Sequence, residues 1–174
     1  MRSNAIRGLV CRRSGSRPER SYRRLGYAIP YKYARFDTTP FAPLGKPLGR
    51  CRVGLVATAG VTLLDDDGRP SPMKVMGGEE ANVVEIASDT PVERLCSIEE
   101  HYDRHATTVD DVNAFFPVTH LQDLARDGTI GGLPPRFQKI FPNYSHRVTM
   151  SRDAPEVLAQ LRADEVDAAL LVPV

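Results

Sequence analysis

The amino-acid sequence predicts an α/β fold: a Rossmann-like, open and mostly parallel sheet with flanking helices, incomplete at its carboxyl terminus. A β-rich apolar run over 52–61 ends in small residues, as a first strand and its tight loop would. The run 168–172 is continuously apolar, which is typical of a strand covered on both faces, and it follows an amphipathic helical pattern. A length of 174 residues, 41% of them hydrophobic, is enough for one domain with a core.

Basic residues are concentrated at the amino terminus. Residues 1–52 hold thirteen of the 23 Lys and Arg residues but only two acids, Glu19 and Asp37. Residues 1–20 are predicted to form a disordered, solvated extension or to follow from a misassigned start codon. A nucleic-acid-binding tail and an organelle transit peptide are the alternatives. The lack of aromatic residues among the arginines before Tyr22 argues against nucleic acid as a partner.

The next two segments differ in composition. Residues 21–50 are rich in proline and aromatic residues, and each proline disfavours helix in the residue before it. They are therefore predicted to lie extended over the core. Residues 51–174 are predicted to form the α/β domain itself, as the amino-terminal portion of a longer fold.

The first predicted strand ends at Thr58 and Gly60, where a hydroxyl and a small backbone position could approach a ligand. No G-x-G-x-x-G or G-x-x-x-x-G-K-[ST] motif occurs, which argues against a dinucleotide site and a P-loop. Residues 65–68 predict a solvated turn, since a calcium loop needs alternating ligands and a distant Glu. A second strand is predicted over 82–87, and a short helix or loop over 91–100.

Two further helices are predicted from capping signals. Thr119 and Gln122 have the spacing of a capping box, and Gly128 is the expected left-handed stop of that helix. Asp153 and Glu156 have the same spacing before the helix that precedes 168–172. The pattern between these helices, from 134 to 150, is irregular.

The segment richest in reactive side chains follows the second predicted strand. His101, Asp103, His105 and Asp111 could be assembled into a metal site, but the segment lacks the periodicity that would hold two imidazoles on one helical face. A His and an Asp that line a polar pocket, or that hydrogen-bond the loop to itself, are the favoured interpretations. No metal site is predicted, and no Ser-His-Asp or Cys-His arrangement follows from the spacing.

Cysteine usage and hydropathy bear on the compartment. Cys11, Cys51 and Cys96 are widely spaced, form no C-x-x-C pair and occur without a secretory signal. They predict reduced thiols and a cytoplasmic protein. No run of about eighteen apolar residues occurs, so no membrane span is expected.

Six motifs follow one another in register over roughly residues 20–174. They are Gly26-Tyr27-x-x-Pro30-Tyr31, the run 40–48, the run 53–60, His101-Tyr102-Asp103 with Asp111-x-Asn113-x-x-Phe116-Pro117, Leu121-x-x-Leu124-x-x-x-Gly128-x-Ile130-Gly131-x-Leu133, and the run 166–174. Together they resemble the selenoprotein B family of glycine, sarcosine, betaine and D-proline reductases, with the D-proline-reductase-like branch as the suspected group.

The resemblance implies a subunit of an oligomeric reductase that cleaves the α C–N bond of D-proline or a glycine derivative, together with a partner subunit whose pyruvoyl group holds the substrate amine. This chain itself carries no implied cofactor. The resemblance also places the reacting selenocysteine or cysteine immediately after Val174, so no catalytic residue is assigned in this chain. Five residues that match family motifs are candidates for the substrate pocket: Thr58, Gly60, His101, Asp103 and Asn113.

The family position of the nucleophile suggests that a UGA codon after Val174 has been translated as a stop, and a split or decayed gene is the alternative. In either case the chain alone is expected to be inactive. A noncatalytic remnant or a small-ligand-binding protein that folds alone is the second function class.

Overall fold

The computed structural model describes residues 37–38, 42–71, 82–98, 102, 105–106, 108–141 and 145–174. The backbone divides into two units, Met1–Pro40 and Phe41–Val174, and every element below belongs to the second unit. The predictions for residues 1–36, His101 and Asp103 concern positions outside the described residues. The segment boundaries predicted from composition stay predictions.

Six strands in the described part of the chain form two sheets. The larger sheet has the order β3-β5-β1-β6, and β1 is parallel to both β5 and β6, whereas β3 is antiparallel to β5. The smaller sheet is an antiparallel pair of β2 and β4. Their bounds are β1 Val53–Ala57, β2 Val61–Leu63, β3 Val83–Ala87, β4 Leu95–Ser97, β5 Arg136–Ile140 and β6 Ala168–Val172. The predicted α/β class is thereby confirmed as a mixed sheet that is mostly parallel.

Helices connect the parallel strands. α1 (Val118–Arg126) precedes β5, and a continuous helical run precedes β6. That run consists of α2 (His146–Val148), a π turn (Thr149–Asp153) and α3 (Ala154–Ala163). Short 3-10 turns lie at Leu48–Arg50, Val92–Arg94 and Val112–Ala114.

The helices cover opposite faces of the larger sheet. Leu55 belongs to the core cluster that also contains Phe137 of β5 and Leu121 of α1. Its neighbour Gly54 points to the other face, because successive strand residues alternate. A Cβ at Gly54 would stand 3.0 Å from Leu161 Cδ2 of α3. The sheet is therefore flanked by α1 on one side and α3 on the other, and Gly54 allows α3 its close approach.

Strand β1 is the most buried element of the larger sheet. All five of its residues are buried, and Leu55 is completely inaccessible. Complete burial of a leucine side chain is worth about 1.5–3 kcal/mol. Such burial on both faces explains why this strand is apolar at every position.

Strand β6 differs from its prediction. A strand covered on both faces was expected, but Leu170 is 42% exposed and Leu171 is 67% exposed. Among the described residues β6 pairs with β1 alone, so its side chains have a neighbouring strand on one side only. The position of the strand is confirmed, but the predicted burial of both of its faces is not.

Strand β5 lies within the segment that the sequence pattern left irregular. Its residues 136–140 include Gln138 and Lys139, which are polar but buried. Arg136 lies at its first position and donates to Asp164 Oδ2 at 2.9 Å and to Glu85 Oε2 at 3.0 Å. These hydrogen bonds raise the pKa of the Arg136 guanidinium. Polar residues at buried positions obscure a strand in the sequence, because they hide the pattern of apolar residues that would indicate it.

The capping box predicted at Asp153 is wrong. Asp153 has helical dihedral angles, φ −71° and ψ −45°, and lies inside the helical run that starts at His146. Its buried Oδ1 accepts hydrogen bonds from Arg152 Nε at 2.9 Å and from the backbone N–H of Asn82 at 3.1 Å. Asp153 therefore joins the helical run to the segment that enters β3.

The capping box predicted for α1 is also wrong, although the helix and its stop are confirmed. The backbone N–H of Thr119 donates to the side-chain oxygen of Asn113 at 3.0 Å, so the cap comes from upstream. The Gln122 side chain donates to the carbonyls of Ser88 and Thr90. Gly128 has φ +78°, as a left-handed helix stop requires.

The start of β6 is fastened to the segment that precedes β1. The Asp167 carboxylate accepts from the backbone N–H of Arg52 at 2.7 Å and lies 2.8 Å from Lys46 Nζ. The Asp167 N–H donates back to the Arg52 carbonyl at 2.9 Å. The hydrogen bond from Lys46, followed by that from Arg52, lowers the pKa of Asp167.

Removing the Asp153 side chain should cost far more stability than removing its supposed capping partner. Asp153→Ala removes the buried Oδ1 that accepts from the Asn82 N–H and from Arg152 Nε, and it is expected to lower the free energy of unfolding by about 2–3 kcal/mol. Glu156→Ala, at an exposed position inside the helical run, should change it by less than about 0.5 kcal/mol. Urea denaturation measures both values. Equal losses of stability in the two variants would contradict this assignment and support the predicted capping box.

The lowered pKa of Asp167 predicts a pH-dependent contribution to stability. A carboxyl whose pKa falls on folding stabilises the fold at pH values well above its unfolded pKa, near 3.8. That contribution is lost as the pH falls through the lower folded pKa. The stability advantage of the wild type over Asp167→Asn should therefore be present at neutral pH and disappear in acid.

Urea titrations over a pH series measure this advantage. Asp66→Asn is the control, because the Asp66 side chain is fully exposed. If the two variants showed the same pH dependence, Asp167 would not be the residue responsible.

Candidate functional site at the carboxyl edge of the sheet

The candidate site lies where β1 and β5 end side by side. After β1 the chain turns toward the α1 face, where Ala59 and Val61 join the core cluster. After β5 it passes to the helical run that covers the Gly54 face. Adjacent parallel strands whose continuations leave to opposite faces open a crevice at their carboxyl ends, and ligands of α/β proteins bind there.

Thr58 lies at this edge and holds the end of the chain that follows β6. Its Oγ1 accepts a hydrogen bond from the backbone N–H of Val174 at 2.9 Å and donates to the Val174 carbonyl at 3.2 Å. Its own N–H donates to the Val172 carbonyl at 3.1 Å. The hydroxyl therefore fixes both the position and the direction of the backbone at Val174.

Gly60 belongs to the loop that joins β1 to β2. Its carbonyl accepts from the N–H of Ile98, just after β4, at 2.6 Å. The Val61 N–H donates to the Ala59 carbonyl at 2.9 Å, which closes the turn. Thr58 and Gly60 are thus both placed at the carboxyl edge, where the sequence pattern predicted a ligand-approaching loop.

A buried lysine lies beneath this loop. Lys139 is 2% exposed and pairs in register with Ala57, the last residue of β1. Its Nζ donates to the Val61 carbonyl at 2.5 Å and stands 4.0 Å from the centre of the Phe141 ring. An ammonium over an aromatic face is stabilised by the ring quadrupole. The charge is thereby held between the loop and the end of β5.

The lysine influences a thiol on the neighbouring small sheet. Burial raises the pKa of the Cys96 thiol, and the positive charge of Lys139 opposes that shift. Cys96 and Cys51 are both free thiols. Because the effect of burial is the larger, Cys96 is held toward its protonated form, which is a poor nucleophile.

Asn113 lies in the 3-10 turn before α1 and makes two hydrogen bonds that order the start of that helix. Its backbone N–H donates to Asp111 Oδ1 at 3.0 Å, and its side-chain oxygen caps Thr119. These hydrogen bonds order the turn Val112–Ala114 and fix the Asn113 side chain. A role of Asn113 in a substrate pocket stays a prediction.

The histidine-rich segment is described only in part. His101 and Asp103 fall outside the described residues, and His105 is exposed. Within the described ranges, no group of three or more His, Cys, Asp or Glu side chains could hold a metal ion.

The turn 65–68 is closed by Asp65, whose Oδ1 accepts from the backbone N–H groups of Asp67 and Arg69. Over all the described ranges, no helix combines the length and the hydropathy that crossing a bilayer requires.

Lys139 is the site residue that the sequence interpretation missed. The alternation of Phe137, Lys139 and Phe141 at two-residue steps is a strand signal that places all three on one face. The whole segment 134–150 was predicted to be irregular, without use of this signal. The position of the lysine beneath the Val61 carbonyl, 78 residues earlier, depends on the sheet order, which local patterns do not contain.

Comparison with known families gives a match over most of the chain. The family model for glycine/sarcosine/betaine reductase selenoprotein B matches residues 24–174, a range that includes both sheets and the carboxyl edge. Neither a curated protein nor a solved structure shows a significant match to the chain. The resemblance seen in the motifs is confirmed. The chain therefore belongs to the glycine/sarcosine/betaine reductase selenoprotein B family, whose members are subunits of multi-subunit reductases.

Proposed function

We propose that this chain supplies the scaffold of a reductase that cleaves the α C–N bond of D-proline or of a glycine derivative, and that the reacting selenocysteine or cysteine occupies the position after Val174. The observation that carries the proposal is the Thr58 hydroxyl, which holds both backbone groups of Val174 at the carboxyl edge. Family membership supplies the reaction class. A residue that follows Val174 would start beside Thr58, at the carboxyl end of β1.

The chemistry requires an anionic nucleophile with a fixed approach. In net terms a dithiol is oxidised to a disulfide, and its two electrons with two protons convert the Cα–N bond into C–H and N–H bonds. The anion is the attacking form, so a selenol or an acidified thiol suits neutral pH better than an ordinary thiol with a pKa of about 8.5. A backbone fixed at Val174 would limit the directions from which that anion can attack.

The remaining parts of the proposal concern partners and location. A pyruvoyl group on a partner subunit would hold the substrate amine, so no residue of this chain is assigned to carry it. In addition to Thr58, the proposed candidates for the substrate pocket are Gly60, His101, Asp103 and Asn113. The scaffold is a Rossmann-like doubly wound sheet, the assembly is oligomeric, and the protein is cytoplasmic, in keeping with the free thiols of Cys51 and Cys96.

Reductase activity tests this proposal. The product of the complete reading frame, with residues beyond Val174 and the pyruvoyl-containing partner, should reduce D-proline, glycine, sarcosine or betaine with a dithiol donor. A folded protein that stays inactive on all four would instead support a noncatalytic remnant or a small-ligand-binding protein.

The hydroxyl of Thr58 should matter more for the reaction than for folding. Thr58→Val keeps the side-chain shape but removes both hydrogen bonds to Val174, so kcat is expected to fall by about tenfold to a hundredfold through misplacement of the following residue. In the present chain the same substitution should speed hydrogen exchange of the Val174 amide.

Thr58→Ser is the matched control, because it retains the hydroxyl and should stay near the wild-type kcat and exchange rate. An unchanged Val174 exchange rate in Thr58→Val would show that the hydroxyl does not hold the backbone there.

A further inference from the structure

Strand β6 forms an unprotected edge of the larger sheet. Edge strands in folded proteins usually carry a charge, an internal proline or a bulge that discourages further pairing. Strand β6 has none of these: its residues 168–172 are uncharged, and all five pair with β1 in an uninterrupted register. At the other edge of the same sheet, β3 contains Glu85, which is paired with Arg136. The β6 edge is therefore the place where this sheet can be extended.

The backbone of β6 presents a regular row of hydrogen-bonding groups to this edge. The Val172 carbonyl accepts from the Thr58 N–H, so Val172 directs its backbone groups to β1. Because these groups alternate in direction along a strand, Leu170 also faces β1, whereas Ala169 and Leu171 face outward. No strand in the described part of the chain pairs with that side of β6. Two residues thus offer an N–H and a carbonyl each to an added strand.

A second copy of β6 fits this row in an antiparallel register that pairs all five residues. A twofold axis beside Leu170 would place Ala169 of each copy opposite Leu171 of the other, and these pairs would exchange four hydrogen bonds. A leucine then lies opposite an alanine on the Gly54 face, and the two Leu170 side chains meet on the other face. No like charges oppose each other, and Pro173, which has no N–H, ends the pairing.

Apolar surface continues from β6 onto α3. Leu158 of α3 is 47% exposed. Leu161 faces β1, and Asp164 bonds to Arg136 of β5, so these contacts mark the inner side of the helix and its flank toward β5. With 3.6 residues per turn, Leu158 lies on the opposite flank, which faces β6. A twofold axis beside β6 would bring both copies of this leucine to the paired strands.

We propose that β6 is the contact surface of a homodimer, in which it pairs with β6 of a second copy, antiparallel and centred on Leu170, so that the two larger sheets become one. A second copy is the occupant because the edge is complementary to itself in charge, in side-chain size and in hydrogen-bonding groups, as a twofold interface requires. The inference goes beyond the proposed reaction and uses no residue after Val174, so it stands or fails independently of reductase activity.

Sedimentation equilibrium of the present chain tests the surface. The wild type should be a dimer at about 10–100 μM protein, and Leu171→Lys, which places a charge in each pair, should raise the dimer dissociation constant by about tenfold or more. Leu63→Lys, at an exposed leucine of the smaller sheet, is the control and should change that constant by less than about twofold. A monomeric wild type, or an equal effect of the two substitutions, would overturn the proposal.

Disulfide formation tests the register. In this pairing the two Leu170 Cα atoms are about 4.5 Å apart, within disulfide range, whereas the two Leu171 residues lie diagonally at about 7–8 Å. Leu170→Cys, oxidised by Cu(II)-phenanthroline, should therefore give a covalent dimer linked through the introduced cysteines, and Leu171→Cys should give far less. Peptide mass spectrometry separates these bridges from those of the three native cysteines, Cys11, Cys51 and Cys96. Equal cross-linking of the two variants, or none in either, would contradict the proposed register.

The same cross-link in the complete protein decides between a second copy and other ways of covering β6. Leu170→Cys is introduced into the product of the complete reading frame, which is oxidised together with its partner subunit. Formation of the same disulfide-linked dimer would support the proposal. A cross-link in the present chain alone would show that residues beyond Val174, or the partner subunit, cover this edge, and would overturn the proposal for the assembled enzyme. Inactivity of the wild-type preparation would count against the proposed function only.

Discussion

The larger sheet depends on the position of β1 between two parallel strands. All five of its residues pair with β6, and its last two pair with β5, so the backbone of this one strand sets the register of both neighbours. Its side chains are buried on both faces, and Gly54 leaves room for Leu161 and Val166 on the α3 side. The carboxyl ends of β1, β5 and β6 consequently meet at one edge, and the proposed chemistry is assigned to that edge.

Hydrogen bonds and an ion pair between residues far apart in the sequence hold both this edge and the opposite edge of the sheet in place. Asp167 joins the start of β6 to Arg52 and Lys46, and Thr58 joins the other end of β6 to the end of β1. Both ends of β6 are thus fastened to the chain around β1. A backbone held at two points is a suitable support for a reacting residue, because productive geometry tolerates only small displacements.

The sequence predicted the positions of those elements that have a clear local pattern. Continuous apolar runs located β1 and β6, a mostly apolar run located β3, and Gly128 located the end of α1, since a left-handed stop needs a glycine. Strand β5 was missed because Gln138 and Lys139 are polar residues at buried positions, which hide the apolar pattern of a strand. The capping boxes failed for another reason: Asp153 and Gln122 bond to Asn82 and to Ser88 and Thr90, which are close only after folding. Of the predicted site residues, Thr58 and Gly60 could be placed by strand position, whereas the Thr58–Val174 contact requires the sheet order.

The central claim is that the reacting group stands at the carboxyl edge immediately after Val174, beyond the end of β6 at Val172. Carboxymethylation of the complete protein by iodoacetate at neutral pH, mapped by peptide mass spectrometry, tests it most directly, because a stabilised selenolate or thiolate reacts faster than buried or protonated thiols. The account predicts rapid labelling at the residue that follows Val174 together with loss of reductase activity, while Cys51 and Cys96 stay largely unmodified. Loss of activity that follows labelling of Cys96 or Cys51, with the position after Val174 unlabelled, would contradict it.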